Sequence, residues 1–340
     1  MTDRPLLPTT VVGSHGHPGW WHESKAAYEA GRWGSYDLEE LFNDAADIAI
    51  LDQERAGVDI ITDGEVRRLD GYVDSYYGII DGLRPIPSTR QVGPWGYDQQ
   101  TRYEAVSKIK VPSGLGIVRE FAYLKAHTTR ATKATCAGPL TFGSRVRPGN
   151  VYKNVVEVSE EFAQVINGEL KALVEAGADF IQIDEPARGN VSGREMARLF
   201  NLATAGVKAK LAFHICFGNR FGRARFKRSY QDYFPGALEA RTDQFVLEFA
   251  SRELAEIELW KQWDDGRELG AGVIDVKSFY PEEPEDVAAR IRRVLQYVNA
   301  EKLYINPDCG FGWSPRGMCV QKLQTMVAGT QIVRDELSKA

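Results

Sequence analysis

The sequence contains eight short runs of apolar, β-favouring residues, and these runs constrain the fold more than any other feature. They lie at residues 9–14, 58–65, 134–139, 178–186, 210–217, 244–250, 271–277 and 302–309. Runs of this length and composition are typical of buried strands. Because helical patterns fill most of the gaps between them, we expect parallel βα units joined by right-handed crossovers.

Two of the intervening segments show the features of helices clearly. An apolar stripe runs through 38–48, and Gly57 follows it, where glycine commonly ends a helix. Asp37 and Glu40 have the spacing of a capping box, so we expect this helix to begin at Asp37. A second stripe, at 155–174, also precedes a glycine and then another apolar run. The repeated order of helix, glycine and strand supports a βα repeat.

Eight such units in a chain of 340 residues predict an α/β fold, a closed (β/α)8 or TIM barrel. Segment 66–133 is the exception, because Tyr, Gly, Pro and Gln interrupt every period and only 108–111 has the pattern of a strand. We expect residues 1–340 to form a single catalytic domain, with 66–133 as an elaborated loop region inserted after the second strand. Barrels can reach this length as one unit.

The composition excludes several classes of protein. The chain has 42 Lys and Arg against 47 Asp and Glu, a net charge of −5 that is unsuited to coating nucleic acid. No apolar stretch approaches the roughly 20 residues of a membrane span, and no secretory leader is evident. We therefore expect a cytoplasmic protein that binds neither nucleic acid nor a membrane. Four cysteines are too few for a disulfide scaffold, which leaves them as thiols or ligands.

Polar side chains gather at the carboxyl ends of the predicted strands, which meet on one face of a parallel barrel. They are Ser14, Glu65, Asp184, Glu185, His214, Cys216, Glu248, Asp275, Lys277, Asp308 and Cys309. His214 and Cys216 are two residues apart, so they face the same side of one strand. Glu248 and Cys309 reach that face from the sixth and eighth strands, and His, Cys and Glu are ligands that zinc prefers. Taken alone, the His-x-Cys pair is more simply explained as part of a packed core. The presence of four possible ligands at the ends of predicted strands favours a zinc site instead.

Eight short motifs follow one another in a fixed order along nearly the whole chain. They are Val-Val-Gly-Ser (11–14), Asp-Gly-Glu (63–65), Gly-Pro-Leu-Thr (138–141), Ile-Gln-Ile-Asp-Glu-Pro-Ala (181–187), His-Ile-Cys (214–216), Glu-Phe-Ala-Ser-Arg (248–252), Asp-Val-Lys-Ser (275–278) and Asn-Pro-Asp-Cys-Gly (306–310). Together they resemble the catalytic barrel of the cobalamin-independent methionine synthase family, including the short single-barrel relatives that lack the duplicated N-terminal half.

The resemblance implies a role for each of these positions. It implies that zinc is bound by His214, Cys216, Glu248 and Cys309. It also implies that Ser14, Glu65 and Asp184 form the pocket for the amino-acid part of homocysteine, with Glu65 and Asp184 as the catalytic pair. The simpler structural explanation of Asp184 is a helix N-cap.

These roles agree with the chemistry of the residue types. Zn²⁺ binds a thiol in its deprotonated form and so supplies a thiolate near pH 7, whereas a free thiol is mostly protonated there. Acidic side chains suit the substrate's ammonium group. We therefore expect a zinc-dependent methyltransferase that moves a methyl group onto the thiol of homocysteine, giving methionine.

The expected methyl donor differs from that of the full-length enzymes. Those enzymes stack the pterin of a folate on a tryptophan shortly after the Gly-Pro-Val-Thr segment. Here residues 138–144 contain no tryptophan, and Phe142 is the aromatic residue that could stack. A single barrel also lacks surface for a polyglutamate tail. We therefore expect a methylated corrinoid such as methylcobalamin, free or on a carrier protein.

A basic segment keeps a second thiol substrate open. Five cations lie within 220–228, among them Arg220 and Arg223, and they could bind an anion. Zinc-dependent epoxide:coenzyme M transferase resembles the same family, and its thiol carries a sulfonate. The simpler explanation of this basic segment is a solvent-exposed loop without a ligand.

A lesser alternative is an amidohydrolase-type metal hydrolase. His15-Gly-His17 at the end of the first strand, with His214 and Asp308, partly matches the ligand pattern of such barrels. No histidine lies near the sixth strand, which argues against it. In the favoured interpretation His15, His17 and His22, with Trp20 and Trp21, form a loop that shapes the donor site.

Overall fold

The structure is a computed structural model, and it describes residues 5–69, 72–86, 101–186, 191–219, 222, 224, 227–312 and 314–339. The strands are β1 Ile60–Ile61, β2 Asp81–Ile86, β3 Arg102–Lys110, β4 Ala131–Thr132, β5 Ala134–Ala137, β6 Val146–Arg147, β7 Phe180–Asp184, β8 Lys210–Ile215, β9 Gln244–Glu248, β10 Glu268–Ile274 and β11 Leu303–Pro307. The α-helices are α1 Gly19–Glu29, α2 Ser35–Ala56, α3 Ile117–His127, α4 Pro139–Gly143, α5 Val155–Glu175, α6 Gly193–Ala203, α7 Trp260–Trp263, α8 Pro284–Val294 and α9 Arg316–Leu337.

Parallel strand pairing runs around a ring, as the strand count predicts. Six strands pair in the order β11-β10-β9-β8-β7-β5. Thr9 bridges Ile305 of β11, and Thr10 bridges Ile60 of β1. Strand β1 pairs with β4, which continues into β5 across Lys133. The α/β fold with a TIM-barrel architecture is therefore confirmed, although the first predicted strand is reduced to the Thr9 and Thr10 bridges.

The helices cover the outside of this ring and bury the main hydrophobic core against it. In α5, Asn154 accepts hydrogen bonds from the backbone N–H groups of Val156 and Glu157. Its predicted stripe is buried at Val158, Phe162, Ile166, Leu170 and Leu173. The described residues include no helix with the length and apolar character needed to cross a membrane.

Helix α2 begins two residues before the predicted start. Asp37 is the third helical residue, and its carboxylate accepts a hydrogen bond of 2.8 Å from the backbone N–H of Gly34. The capping interaction therefore comes from an acidic residue reaching back rather than from an N-cap at Asp37. Gly57 ends the helix in the left-handed conformation, with a φ of 85°, as the sequence predicts.

Segment 66–133 holds more regular structure than the sequence suggests. Strands β2 and β3 form an antiparallel pair, and β6 adds to β3 in parallel. Helix α3 follows before the chain returns to the barrel at β4. The short 108–111 run is thus the end of a nine-residue strand, which the sequence hides because β3 is mostly exposed and has no apolar alternation.

The aromatic segment near the N-terminus is also helical rather than a loop. Trp20, Trp21 and His22 all lie in α1. Pro18 precedes this helix and no side chain caps it, so the sequence signals that mark a helix start are missing. The spacing of buried Trp21, Ser24 and Ala27 is the signal that was available.

Candidate functional site

The carboxyl ends of the barrel strands surround a cavity of about 510 Å³. Seven of the predicted site residues line it, namely Ser14, His17, Glu65, Asp184, His214, Cys216 and Cys309. Helix α1 and the segment after β1 contribute further lining residues, among them Trp21, His22, Arg68 and Tyr72. The cavity therefore joins a thiol-rich group to a group of carboxylates.

Three side chains bring metal-ligating atoms together at one end of this arrangement. His214, Cys216 and Cys309 each offer one ligand atom, and these atoms lie within 4.8 Å of one another. Within the part of the chain that the structure describes, this is the one cluster of three or more such residues that could hold a metal ion. The sulfur atoms of Cys216 and Cys309 are 3.5 Å apart. His214 lies in β8 and Cys216 follows that strand by one residue, while Cys309 lies two residues after the end of β11.

The imidazole of His214 is oriented for a ligand. Its Nδ1 lies 3.0 Å from the carbonyl oxygen of Val246, which can only accept, so Nδ1 carries the hydrogen. Its Nε2 is buried and has no hydrogen-bond partner among the described residues. Burial lowers the pKa of this imidazole, but Cys309 and Asp184 outweigh it and raise the pKa, so a metal ion at Nε2 would take the place of a proton. The donor set therefore fits a zinc-type ion.

Glu248 lies beside this group rather than within it. Its buried carboxylate pairs with Lys277 at 2.8 Å and accepts hydrogen bonds from Ser251 Oγ at 2.7 Å and the backbone N–H of Phe217 at 3.2 Å. Burial lowers the pKa of Lys277, but Glu248 and Cys309 outweigh it, so the ammonium stays charged. Glu248 is thus held next to the two thiols by its contact with Lys277.

A second group, adjacent to His214 through the β7–β8 pairing, contains the two predicted substrate carboxylates, Glu65 and Asp184, both buried. Glu65 accepts a hydrogen bond from Thr135 at 2.7 Å and pairs with Arg68 at 2.8 Å. Asp184 accepts hydrogen bonds from Gln182 at 2.6 Å and Tyr72 at 3.2 Å. Burial raises the pKa of both carboxyls. A cation entering the cavity would favour their charged forms.

The backbone at Glu65 is strained in a way that aims this side chain. Its φ is 56°, in the left-handed region that residues other than glycine rarely adopt. A Cβ at Gly13 would overlap with the Glu65 carboxylate, so glycine at 13 leaves that side chain its place. Strain of this kind is typical of functional positions.

Ser14 lies on the cavity wall against the loop that follows Cys309. Its carbonyl accepts a hydrogen bond of 2.7 Å from the backbone N–H of Phe311. A Cβ at Gly310 would overlap with the Ser14 hydroxyl oxygen. The glycine therefore lets Ser14 approach the backbone of the loop after Cys309 closely.

The two N-terminal histidines lie in different surroundings. His17 lines the cavity, stacks on Trp21 with ring centroids 4.2 Å apart, and contacts the Gly312 carbonyl at 3.2 Å through Nδ1. His15 is 3% exposed and lies outside the cavity lining, between Asp52 at 3.0 Å and Cys319 at 3.3 Å. His15 is therefore part of the protein interior rather than of a donor site.

Phe142 also lies in the interior, where it packs against Tyr76, Tyr77 and Phe162 and has 0% exposure. Its position in the short helix α4 turns its ring toward the outer core, so it offers no free face to a donor. Arg220 and Arg223, the cations predicted to bind an anion, lie outside the described residues, as does Ala187 of the Ile181 motif. Of the remaining basic residues, Arg228 donates to the Ser251 carbonyl at 2.8 Å.

The amidohydrolase arrangement is not formed by the residues that suggested it. Asp308 accepts three backbone N–H hydrogen bonds from Phe249, Ala250 and Ser251, at 2.6 to 2.9 Å. His15 is occupied by Asp52 and Cys319. Neither side chain is available beside His214, so this alternative is not supported.

Several residues of the site were not predicted from the sequence. Arg68 and Tyr72 come from the segment after β1, and each contacts one of the two carboxylates. Arg68 also pairs with buried Glu120 at 3.0 Å. The signal for Arg68 was its place three residues after Glu65, whereas Tyr72 gave none, because the fold of 66–133 was not predictable.

The fold and site define a class of protein: a parallel βα barrel with a thiol- and imidazole-rich metal-type group at its catalytic end. The family model described as "Cobalamin-independent synthase, Catalytic domain" matches residues 7–331. The chain belongs to this family, as its motifs led us to expect.

Individual relatives agree with this assignment. The chain is 39% identical to a methionine synthase of Saccharolobus solfataricus over 344 residues, covering 100% of this chain and 98% of the relative. It is 36% identical to a methionine synthase of Sulfurisphaera tokodaii, covering 99% and 95%. A B12-independent methionine synthase from a Shewanella strain, solved in complex with selenomethionine, is 27% identical with a TM-score of 0.83, covering 98% and 100%.

Proposed function

We propose that this protein transfers a methyl group to the thiol of homocysteine and so makes methionine. The observation that carries the proposal is one cavity in which a metal-type group of His214, Cys216 and Cys309 shares its walls with Glu65 and Asp184. An amino-acid thiol needs both, a metal for its sulfur and carboxylates for its ammonium group. The relatives named as methionine synthases span nearly the same length as this chain, which supports the same activity.

Zinc is the metal that this donor set favours. Two thiols and an imidazole are borderline-soft ligands, which zinc takes in tetrahedral sites with one position for substrate or a further ligand. A hydrogen bond with Cys216 and burial raise the pKa of Cys309, so this thiol needs a nearby cation to ionise. When bound, zinc would hold the homocysteine sulfur as a thiolate, the form that attacks carbon.

We propose Glu248 as the fourth ligand of the substrate-free metal, replacing its ion pair with Lys277 and yielding this position to the substrate thiol. The backbone N–H of Phe217 already ties its carboxylate to the residue after Cys216. Lys277 then remains beside a metal group that carries two thiolates and a carboxylate, where its charge lowers the local excess of negative charge. If Glu248 instead stayed paired with Lys277, zinc would have three protein ligands.

Glu65 and Asp184 hold the ammonium group in this proposal, and Ser14 binds the amino-acid part from the opposite loop. Both carboxylates are buried, so an ammonium group offsets charge that water cannot reach. A thiol without an ammonium group would leave them without that partner. This makes the pocket selective for homocysteine over simple thiols.

For the methyl donor we propose a methylated corrinoid, free or on a carrier protein, rather than a folate triglutamate. Phe142 is enclosed in the core and cannot stack on a pterin. The family description reads cobalamin-independent, so the donor has to be measured directly.

The donor experiment compares two compounds on the same zinc-loaded protein with homocysteine. Methylcobalamin and 5-methyltetrahydrofolate triglutamate are supplied in parallel, and methionine is measured by mass spectrometry. We expect methionine from methylcobalamin, with Cys309→Ala as the blank and Cys136→Ala, a buried thiol that does not line the cavity, as the active control. Methionine from the folate alone would overturn the corrinoid donor, and none from either donor would contradict homocysteine methylation.

A further inference from the structure

A lysine lies inside the barrel below the substrate carboxylates, and the activity proposed above does not use it. Lys133 is 0% exposed and connects β4 to β5. Its amino group donates to the carbonyl oxygen of Val11 at 2.5 Å and to the side-chain oxygen of Gln182 at 2.6 Å. Burial lowers the pKa of Lys133 to about 7, and the charge of Asp184 opposes that fall. A buried amino group without a carboxylate in hydrogen-bond contact is costly to charge, so its place in the barrel calls for a reason.

The reason lies in the direction of the Gln182 amide. The Lys133 amino group donates to the oxygen of this amide, and the carboxylate and carbonyl on its other side only accept, so the amide oxygen must face Lys133. The amide NH₂ group then points the other way, where it donates to Asp184 Oδ1 at 2.6 Å and to the Val12 carbonyl at 2.7 Å. The reversed amide would place its oxygen against a carboxylate and a carbonyl, and its NH₂ group against the Lys133 amino group.

We infer that Lys133 is a positioning residue for substrate recognition: it fixes the amide of Gln182 and thereby holds Asp184 in place for the ammonium group of an amino-acid thiol. The inference rests on the proposed function, because it assumes that Asp184 receives that ammonium group. The second oxygen of Asp184 accepts from Tyr72, so both oxygens have a partner when Gln182 is fixed.

The local charges agree with this role. Burial raises the pKa of Asp184, and the hydrogen bond from Gln182 opposes that rise, which favours the carboxylate form that an ammonium needs. Lys210 is the other lysine inside this part of the barrel, and it pairs with Glu268 and Tyr304 instead. Lys210 therefore provides a matched control that does not contact Gln182.

The experiment measures thiol selectivity by titration calorimetry on zinc-loaded protein, without a methyl donor. The two ligands are homocysteine and 4-mercaptobutanoate, which is homocysteine without its ammonium group. We expect Lys133→Met to weaken homocysteine binding about tenfold, while the affinity for 4-mercaptobutanoate and the zinc content stay unchanged. A purely structural loss would weaken both ligands alike.

Four further variants locate the effect. Gln182→Leu should reproduce the loss, and the double variant with Lys133→Met should lose no more than either single variant, because both remove the same arrangement. Lys133→Gln keeps a side-chain donor and should lose less than threefold, which also covers the case in which Lys133→Met does not fold. Lys210→Met should keep the wild-type selectivity.

The results separate this inference from the proposed function. If the wild type prefers homocysteine and Lys133→Met keeps that preference, or if the two losses add, the positioning role is overturned. If the wild type binds both thiols equally well, the ammonium pocket itself is wrong, and the role of Lys133 falls with it.

Discussion

At the scale of single residues, the contacts of the two ring nitrogens of His214 are the main support for a metal site. One donates to Val246 and the other is buried without a partner among the described residues, beside two thiols. The residue types and their spacing predicted this group, because alternation along a strand fixes which side chains share a face. The place of Glu248 was less predictable, since its ion pair with Lys277 depends on contacts between strands.

Removal of one ligand should release the metal. We expect His214→Ala and Cys309→Ala to retain less than about a tenth of the zinc that wild type holds after dialysis, because three remaining ligands or fewer bind zinc far more weakly. Inductively coupled plasma mass spectrometry gives the metal content. Cys136→Ala should keep full zinc, and a Cys309→Ala protein with full zinc would contradict the ligand assignment.

Asp184 should act on substrate and leave the metal alone. We expect Asp184→Asn to weaken homocysteine binding by roughly tenfold to a hundredfold, since a charge-assisted hydrogen bond is lost, while zinc content stays at the wild-type level. Calorimetry and metal analysis on the same sample make the comparison. Equal loss of zinc and homocysteine would instead show that Asp184 supports the fold of the strand end.

His15 should make stability depend on pH. Burial lowers its pKa, but Cys319 and Asp52 outweigh that and raise it from 6.5 to about 9. The folded value lies above the unfolded one, so the stabilisation is fully present below pH 6.5 and is lost as the pH rises through about 9.

We expect the wild type to lose about 2 to 3 kcal/mol of unfolding free energy over that range relative to His15→Asn. Urea denaturation at pH 6, 7.5 and 9 measures it. Parallel pH curves for the two proteins would show that the His15–Asp52 pair does not contribute in this way.

At the scale of elements, the strands were more predictable than the segments between them. Buried parallel strands show as continuous apolar runs, whereas α1 and β3 lack caps or alternation. Tyr72 and Arg68 come from the region that was not predictable, which is why half of the carboxylate pocket was missed. The metal-type residues sit directly on strand ends, so they could be found.

Helix α5 gives a test at this scale. Asn154 accepts two backbone N–H groups at 2.9 and 3.1 Å, and Asn154→Ala should cost about 1 kcal/mol of unfolding free energy by removing this cap. Urea denaturation measures the change, with Lys171→Ala on the exposed face of α5 as the control, expected within about 0.5 kcal/mol of wild type. A cost for Asn154→Ala no larger than that of the control would show that the helix start does not depend on the cap.

At the scale of the whole molecule, closure of the strand ring places distant parts of the chain around one cavity. Ser14, Asp184, Cys216 and Cys309 are separated by up to 295 positions and still line it together. The order of strands made this convergence predictable, because the carboxyl ends of parallel strands meet on one face. The identity of the methyl donor was not predictable in this way. Phe142 lies in the core, and Arg220 and Arg223 lie outside the described residues.

Zinc K-edge X-ray absorption tests most directly whether the homocysteine thiol binds the metal. Spectra are recorded on zinc-loaded protein before and after homocysteine is added. We expect two sulfur neighbours at about 2.3 Å in the free protein and three after addition, since the substrate thiol binds the metal held by Cys216 and Cys309. An unchanged sulfur count with homocysteine bound would contradict this expectation, because the thiol would then reach the cavity without meeting the metal.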